Sequence, residues 1–84
     1  MMEEYFVYIL FSEKLNKYYV GQTINFEKRL IHHNQGRNKF TSKGIPWKFI
    51  YKLGTIDKKT AILLETKIKK RGIKRYLEDL KFGM

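Results

Sequence analysis

Seven apolar residues stand in an unbroken row from Tyr5 to Phe11. A strand with one wet face alternates apolar and polar side chains, so a strand with no polar side must be covered on both faces. The run cannot cross a bilayer, since a spanning helix needs about 20 apolar residues. The reading is a central strand over about residues 4–11, with a layer of structure on each side. Ser12 to Lys17 is polar and holds Asn16, which suits the turn of a hairpin. Residues 17–22 form its second strand, and Gly21 lets a backbone or ligand come close near its end.

Helix signals follow. Asn25 is a good N-cap for a helix running to about Asn34, and Gly36 is a natural stop. Phe26, Arg29, Leu30 and His33 are spaced by three or four residues, so they share one side of that helix. His32 is rotated by about 100° from His33 and points elsewhere. Residues 36–46 are a Gly-, Asn-, Ser- and Lys-rich loop with one aromatic, Phe40, closed by Pro46. Trp47 to Leu53 alternates and reads as a third strand. Asp57 can cap a helix from about Lys58 to Arg71, Gly72 can end it, and a short helix from about Ile73 to Lys81 completes the chain. The order β-β-α-β-α-α implies an α/β (α+β) sandwich in which helices flank a small three-stranded, mainly antiparallel sheet. We expect one domain over residues 1–84. A chain of this length buries only roughly 60% of its unfolded surface. It has no cysteine, which excludes disulfides and thiolate zinc sites.

The formal net charge is +10, unevenly placed. Residues 1–42 carry six Lys/Arg against four Asp/Glu, and residues 43–84 carry twelve against four. Such a surface attracts nucleic acid and releases counterions on binding, though a lysine-rich surface also serves solubility alone. The start, Met1-Met2-Glu3-Glu4, is acidic where a signal peptide is basic. The expectation is a cytoplasmic protein with no membrane partner.

One carboxylate stands out. At about 100° per residue, Ala61, Leu64 and Ile68 share an arc of the long helix, and Glu65 falls inside it. Burying an unpaired carboxylate costs several kcal/mol, so Glu65 needs a cation, a strong donor or a metal. Two plainer accounts stay open. Glu65 can reach solvent past Ala61, or pair with Lys69 one turn on.

Together these positions resemble the GIY-YIG nuclease superfamily, and above all its small stand-alone bacterial members; the N-terminal nuclease domain of the excinuclease ABC C subunit is a better-known relative. Phe6-Val7-Tyr8 stands at the first signature triplet and Tyr19-Val20-Gly21 at the second, with Tyr19 eleven positions after Tyr8. Arg29 stands at the signature arginine, His33 at a histidine seen in many members, and Glu65 at the metal-binding glutamate. Phe40-Thr41 and the run from Ala61 to Lys70 also look like the small members. Two departures are visible. Phe6 replaces the glycine of the first triplet and can crowd the site beside Tyr8. Gln22 stands where the excinuclease domain has a lysine, which removes one phosphate contact.

The resemblance implies metal-dependent hydrolysis of DNA phosphodiesters, including structure-specific cutting, in repair or recombination. It makes Tyr8 the general base or water-positioning group, although a phenol near 10 is only about 0.1% ionised at pH 7. A metal-bound phosphate and Arg29 are expected to lower that value. Tyr19 would hold the water or phosphate, Arg29 would clamp phosphate oxygens with its planar fork, and His33 would assist the base or protonate the leaving group. Glu65 would hold Mg²⁺ or Mn²⁺, weakly without substrate. Gln22, Arg37, Lys39, Phe40, Lys43, Lys69, Lys70 and Arg71 are the expected nucleic-acid contacts, Phe40 by stacking on a base and the cations by tracking phosphates. The competing readings are a non-catalytic nucleic-acid-binding module of the same fold, and a partner-binding structural protein with no cleft.

Overall fold

A computed structural model describes residues 5–37 and 39–82 of the chain. Its elements are β1 (Tyr5–Ser12), β2 (Lys17–Thr23), α1 (Phe26–Asn34), β3 (Trp47–Thr55), α2 (Lys58–Arg71) and α3 (Ile73–Phe82), with a short 3₁₀ turn at Ser42–Gly44. The sheet order is β2-β1-β3 and both pairings are antiparallel. β1 is therefore the middle strand, as its apolar run requires. Its alternating side chains feed two cores. Val7 and Ile9 pack with Val20, Ala61 and Ile68 beneath α2 and α3. Tyr8 and Leu10 pack with Phe26 and Trp47 on the α1 side.

Local signals set the helix ends. Asn25 accepts from the Lys28 backbone N–H at 3.0 Å, and Asp57 accepts from that of Thr60 at 2.8 Å. Gly72 ends α2 at φ 93°, a left-handed conformation that costs other residues free energy. Asn34 then ties α1 to the sheet. Its Oδ1 accepts from the Trp47 N–H at 2.6 Å, and its Nδ2 donates to the Trp47 carbonyl at 3.2 Å.

β3 departs from the expected alternation. Val7 lies opposite Leu53 and Tyr8 opposite Lys52, but the register shifts between Ile9 and Leu10, which face Tyr51 and Phe49. Ile50 is the extra residue of a bulge, and β3 is an edge strand with most side chains exposed. The Phe6 substitution also has a visible role. Lys52 Nζ lies 5.2 Å from the Phe6 ring and 5.0 Å from that of Phe26, a cation held between two aromatic faces. Among the described residues, no helix is long and apolar enough to cross a membrane.

Candidate active site

Tyr8 is the hub of the α1 side. It is buried in the middle strand and lies directly opposite Gly21 of β2. Gly21 has no side chain, so the phenol lies over the β2 backbone toward the sheet edge. A Cβ at Gly21 would stand 2.6 Å from Tyr8 Oη. Tyr19, two residues earlier on the same face, sits with its ring centroid 6.2 Å from that of Tyr8 and 5.0 Å from that of His33.

His33 is not a helix-surface residue. It is fully buried, at 0% exposure. Tyr8 Oη and His33 Nε2 are hydrogen-bonded at 3.0 Å, and His33 Nδ1 and Thr41 Oγ1 at 2.7 Å. By sequence Thr41 stands out only as part of the Phe40-Thr41 stretch, with no role at the site. Its pairing with His33 spans eight positions, from the last turn of α1 across the loop, for which no spacing rule exists.

Tyr8, Tyr19, Gln22, Glu65 and Lys69 line one cavity of about 360 Å³, with Tyr18, Val20, Gly21 and Ile73 completing its wall. It lies along the open edge of β2, where side chains from both faces of the sheet can reach. Glu65 thus meets the tyrosines from a helix on the opposite face. Its carboxylate accepts from Lys69 Nζ at 3.0 Å, so the expected i,i+4 pair exists inside the same cavity.

Arg29 is placed differently. It is exposed and lines a second cavity of about 230 Å³ with Thr23, Ile24, Asn25, Lys28 and His32. It acts on Tyr8 through its field rather than as a wall of the first cavity. Of the other expected contacts, Arg37, Lys39 and Lys43 are exposed on the loop with Phe40, which is 90% exposed, and Lys70 is exposed on α2. Arg71 is engaged by Asp79 through Nε at 2.7 Å and Nη2 at 3.0 Å, so its charge is already answered within the fold.

The electrostatics oppose one expectation. Burial pushes the Tyr8 phenol far above its ordinary value, Tyr19 and Glu65 push it further, and Arg29 only partly offsets them. Tyr8 keeps its proton in the free protein. His33 is shifted down from 6.5, first by burial and then by Arg29 and His32, so it is neutral at pH 7. His32 is lowered too, by desolvation and then by Arg37, Lys28 and Arg29. Below 6.5 the unfolded chain therefore binds more protons than the folded one, and stability falls with pH. Urea midpoints should drop as pH is lowered from about 7.5 to 5, above the range where carboxylates titrate. His33→Gln should flatten that slope, leaving only the part due to His32. An unchanged slope would mean that His33 titrates alike in both states.

The donor chemistry bears on a metal. Among the described residues there is no group of three or more His, Cys, Asp or Glu that could hold an ion. Glu65 alone offers a hard anionic oxygen in the cavity. That set fits Mg²⁺ or Mn²⁺ only where water and phosphate oxygens complete the shell.

Residues 4–76 match the family model described as the GIY-YIG catalytic domain. Over 55 residues the chain is 36% identical to a UPF0213 protein of Streptococcus pneumoniae strain TIGR4, a match covering 64% of this chain and 56% of that protein. The strain R6 counterpart matches over the same extent. The match thus spans little more than half the length of these relatives. The solution NMR structure of a UPF0213 protein from Bacillus halodurans is similar at a TM-score of 0.57 and 26% identity, covering 95% of this chain and 87% of that one.

Proposed function

The chain belongs to the GIY-YIG family, a family of nuclease domains, and from that premise we propose that it is a metal-dependent DNA endonuclease, acting in the cytoplasm on branched or damaged DNA. The observation that carries this reading is the meeting of Tyr8, Tyr19 and Glu65 on one cavity, with Tyr8 hydrogen-bonded to a buried neutral histidine. A divalent ion held by Glu65 would supply Lewis acidity to the phosphoryl group.

The protein's own residues handle the proton and the phosphate. A phenol that keeps its proton can still relay one. As the oxygen of a water bonds to phosphorus, the proton of that water passes to Tyr8 Oη, and the proton of Tyr8 passes to His33 Nε2. The P–O3′ bond breaks, the leaving oxygen takes a proton from solvent, and the proton held on His33 returns to solvent through Tyr8. No free phenolate forms, so the raised Tyr8 value is no obstacle. Tyr19 orients the water or a phosphate oxygen. Arg29, from the neighbouring cavity, offers its fork to the adjoining phosphate.

The test is nicking of supercoiled and branched DNA with Mg²⁺ or Mn²⁺. Tyr8→Phe removes the relay and should lower kcat by about 10²–10⁴, the usual worth of positioned proton transfer. Arg29→Ala should also slow cleavage. Nicking that survives both substitutions would belong to another site or a contaminant.

The Lys69 ion pair on Glu65 favours a second reading, a nucleic-acid-binding module with little catalysis. It predicts tight, salt-dependent binding and no cleavage on any metal. Neutralising about five phosphates gives a log–log salt slope of about −4.5 on duplex DNA.

A further inference from the structure

We infer that Thr41 is a positioning residue: its hydroxyl oxygen accepts from His33 Nδ1–H, which leaves Nε2 free to take the proton of Tyr8, and it ties the basic loop to that pair. The inference deepens the proposed reaction and rests on Tyr8 being the group that acts on water.

The geometry is a buried chain. Tyr8 Oη is 3.0 Å from His33 Nε2, and His33 Nδ1 is 2.7 Å from Thr41 Oγ1. Thr41 is itself held. Its carbonyl accepts from the Trp47 indole N–H at 2.6 Å and from the Gly44 backbone N–H at 3.0 Å. Trp47 lies so close over Gly44 that a Cβ there would stand 2.5 Å from Cζ2 of the indole. The backbone that carries the hydroxyl is thus fixed by its own turn and by the Trp47 indole.

A neutral imidazole has one donor and one acceptor, and the partner of one nitrogen sets the role of the other. In water the Nε2–H form prevails, and that form cannot accept a proton at Nε2. The proposed relay needs the opposite tautomer. A buried phenol O–H also needs an acceptor, and Nε2 stands in reach of Tyr8. A threonine hydroxyl can accept at Nδ1–H, so one residue selects the tautomer in which both demands are met.

The position of Thr41 adds a link. It is preceded by Lys39 and the exposed Phe40 and followed two residues later by Lys43. A nucleic acid gripping these side chains would bear directly on the residue that orients His33.

The experiment reads the tautomer first, without any activity. The imidazole ¹⁵N shifts of His33 in the full chain at pH 7.5 should show protonated Nδ1 and pyridine-like Nε2. Thr41→Val, close in shape but lacking the hydroxyl, should move the population toward Nε2–H, and Thr41→Ser should restore the wild-type pattern. In cleavage assays Thr41→Val should lower kcat by about 10- to 100-fold, a share of the roughly 10²–10⁴ available from positioned proton transfer, with KM within about twofold. Wild-type protein showing Nε2–H would overturn the inference, even if the valine variant fails to fold. So would a folded valine variant whose tautomer is unchanged. If wild-type protein cuts no DNA, the nuclease reading fails while the nitrogen shifts still decide the role of Thr41.

Discussion

Glu65→Gln is expected to remove strand cleavage almost completely while leaving the fold nearly untouched. The substitution keeps the length of the side chain and one oxygen and deletes only the negative charge. A divalent ion at a phosphoryl centre is worth several kcal/mol, so its loss should slow cleavage by on the order of 10³. The structural cost is small. Glu65 pairs with Lys69 on a partly solvated helix face, with side-chain exposures of 22% and 59%. Such pairs contribute about 0–1 kcal/mol. The contrast is the diagnostic, measured as single-turnover nicking at several Mn²⁺ concentrations beside a thermal melt. Full activity in the variant would mean that no ion acts through Glu65. A large fall in Tm would mean that Glu65 serves the core.

The same pair shows how far sequence reaches. Helical periodicity put Glu65 on the apolar arc because α2 is long and regular, and the arc is what faces the sheet. The caps at Asn25 and Asp57 and the stop at Gly72 were legible because each depends on a few neighbouring residues. The doubly covered β1 was legible from its unbroken apolar run. β3 was not, since its bulge at Ile50 answers to the register of a strand some forty residues away. Spacing also fixes the side of a helix a residue takes, not what covers it. Arg29 and His33 share a side of α1, yet one is exposed and the other fully buried. Thr41 and Asp79 carry the same lesson. Each captures a functional candidate, His33 and Arg71, through tertiary contact that no local rule announces.

Gly21→Ala should damage both stability and activity with a single methyl. The added Cβ would stand 2.6 Å from Tyr8 Oη, 2.8 Å from Tyr8 Cζ and 3.1 Å from Tyr19 Cε1. Two rigid rings meet there, so no flexible side chain can yield. Overpacking of this kind costs about 1–3 kcal/mol, and at about 4–8 °C per kcal/mol the Tm of a domain this small should fall visibly. Activity should fall further than stability, because relief requires Tyr8 to swing off Gly21. That motion pulls Oη from His33 Nε2 and leaves a buried nitrogen unpaired. The double variant Gly21→Ala/Tyr8→Phe separates the two effects. Removing the hydroxyl abolishes the closest contact but leaves Cζ, so stability should recover in part while cleavage stays lost. Residues in direct contact couple by about 0.5–3 kcal/mol, and the cycle should show that much non-additivity. Strictly additive losses would mean that β2, bonded only to β1 at its edge, shifts outward and leaves Tyr8 where it was. The glycine of the second triplet would then be a feature of the strand rather than the floor on which the phenol rests.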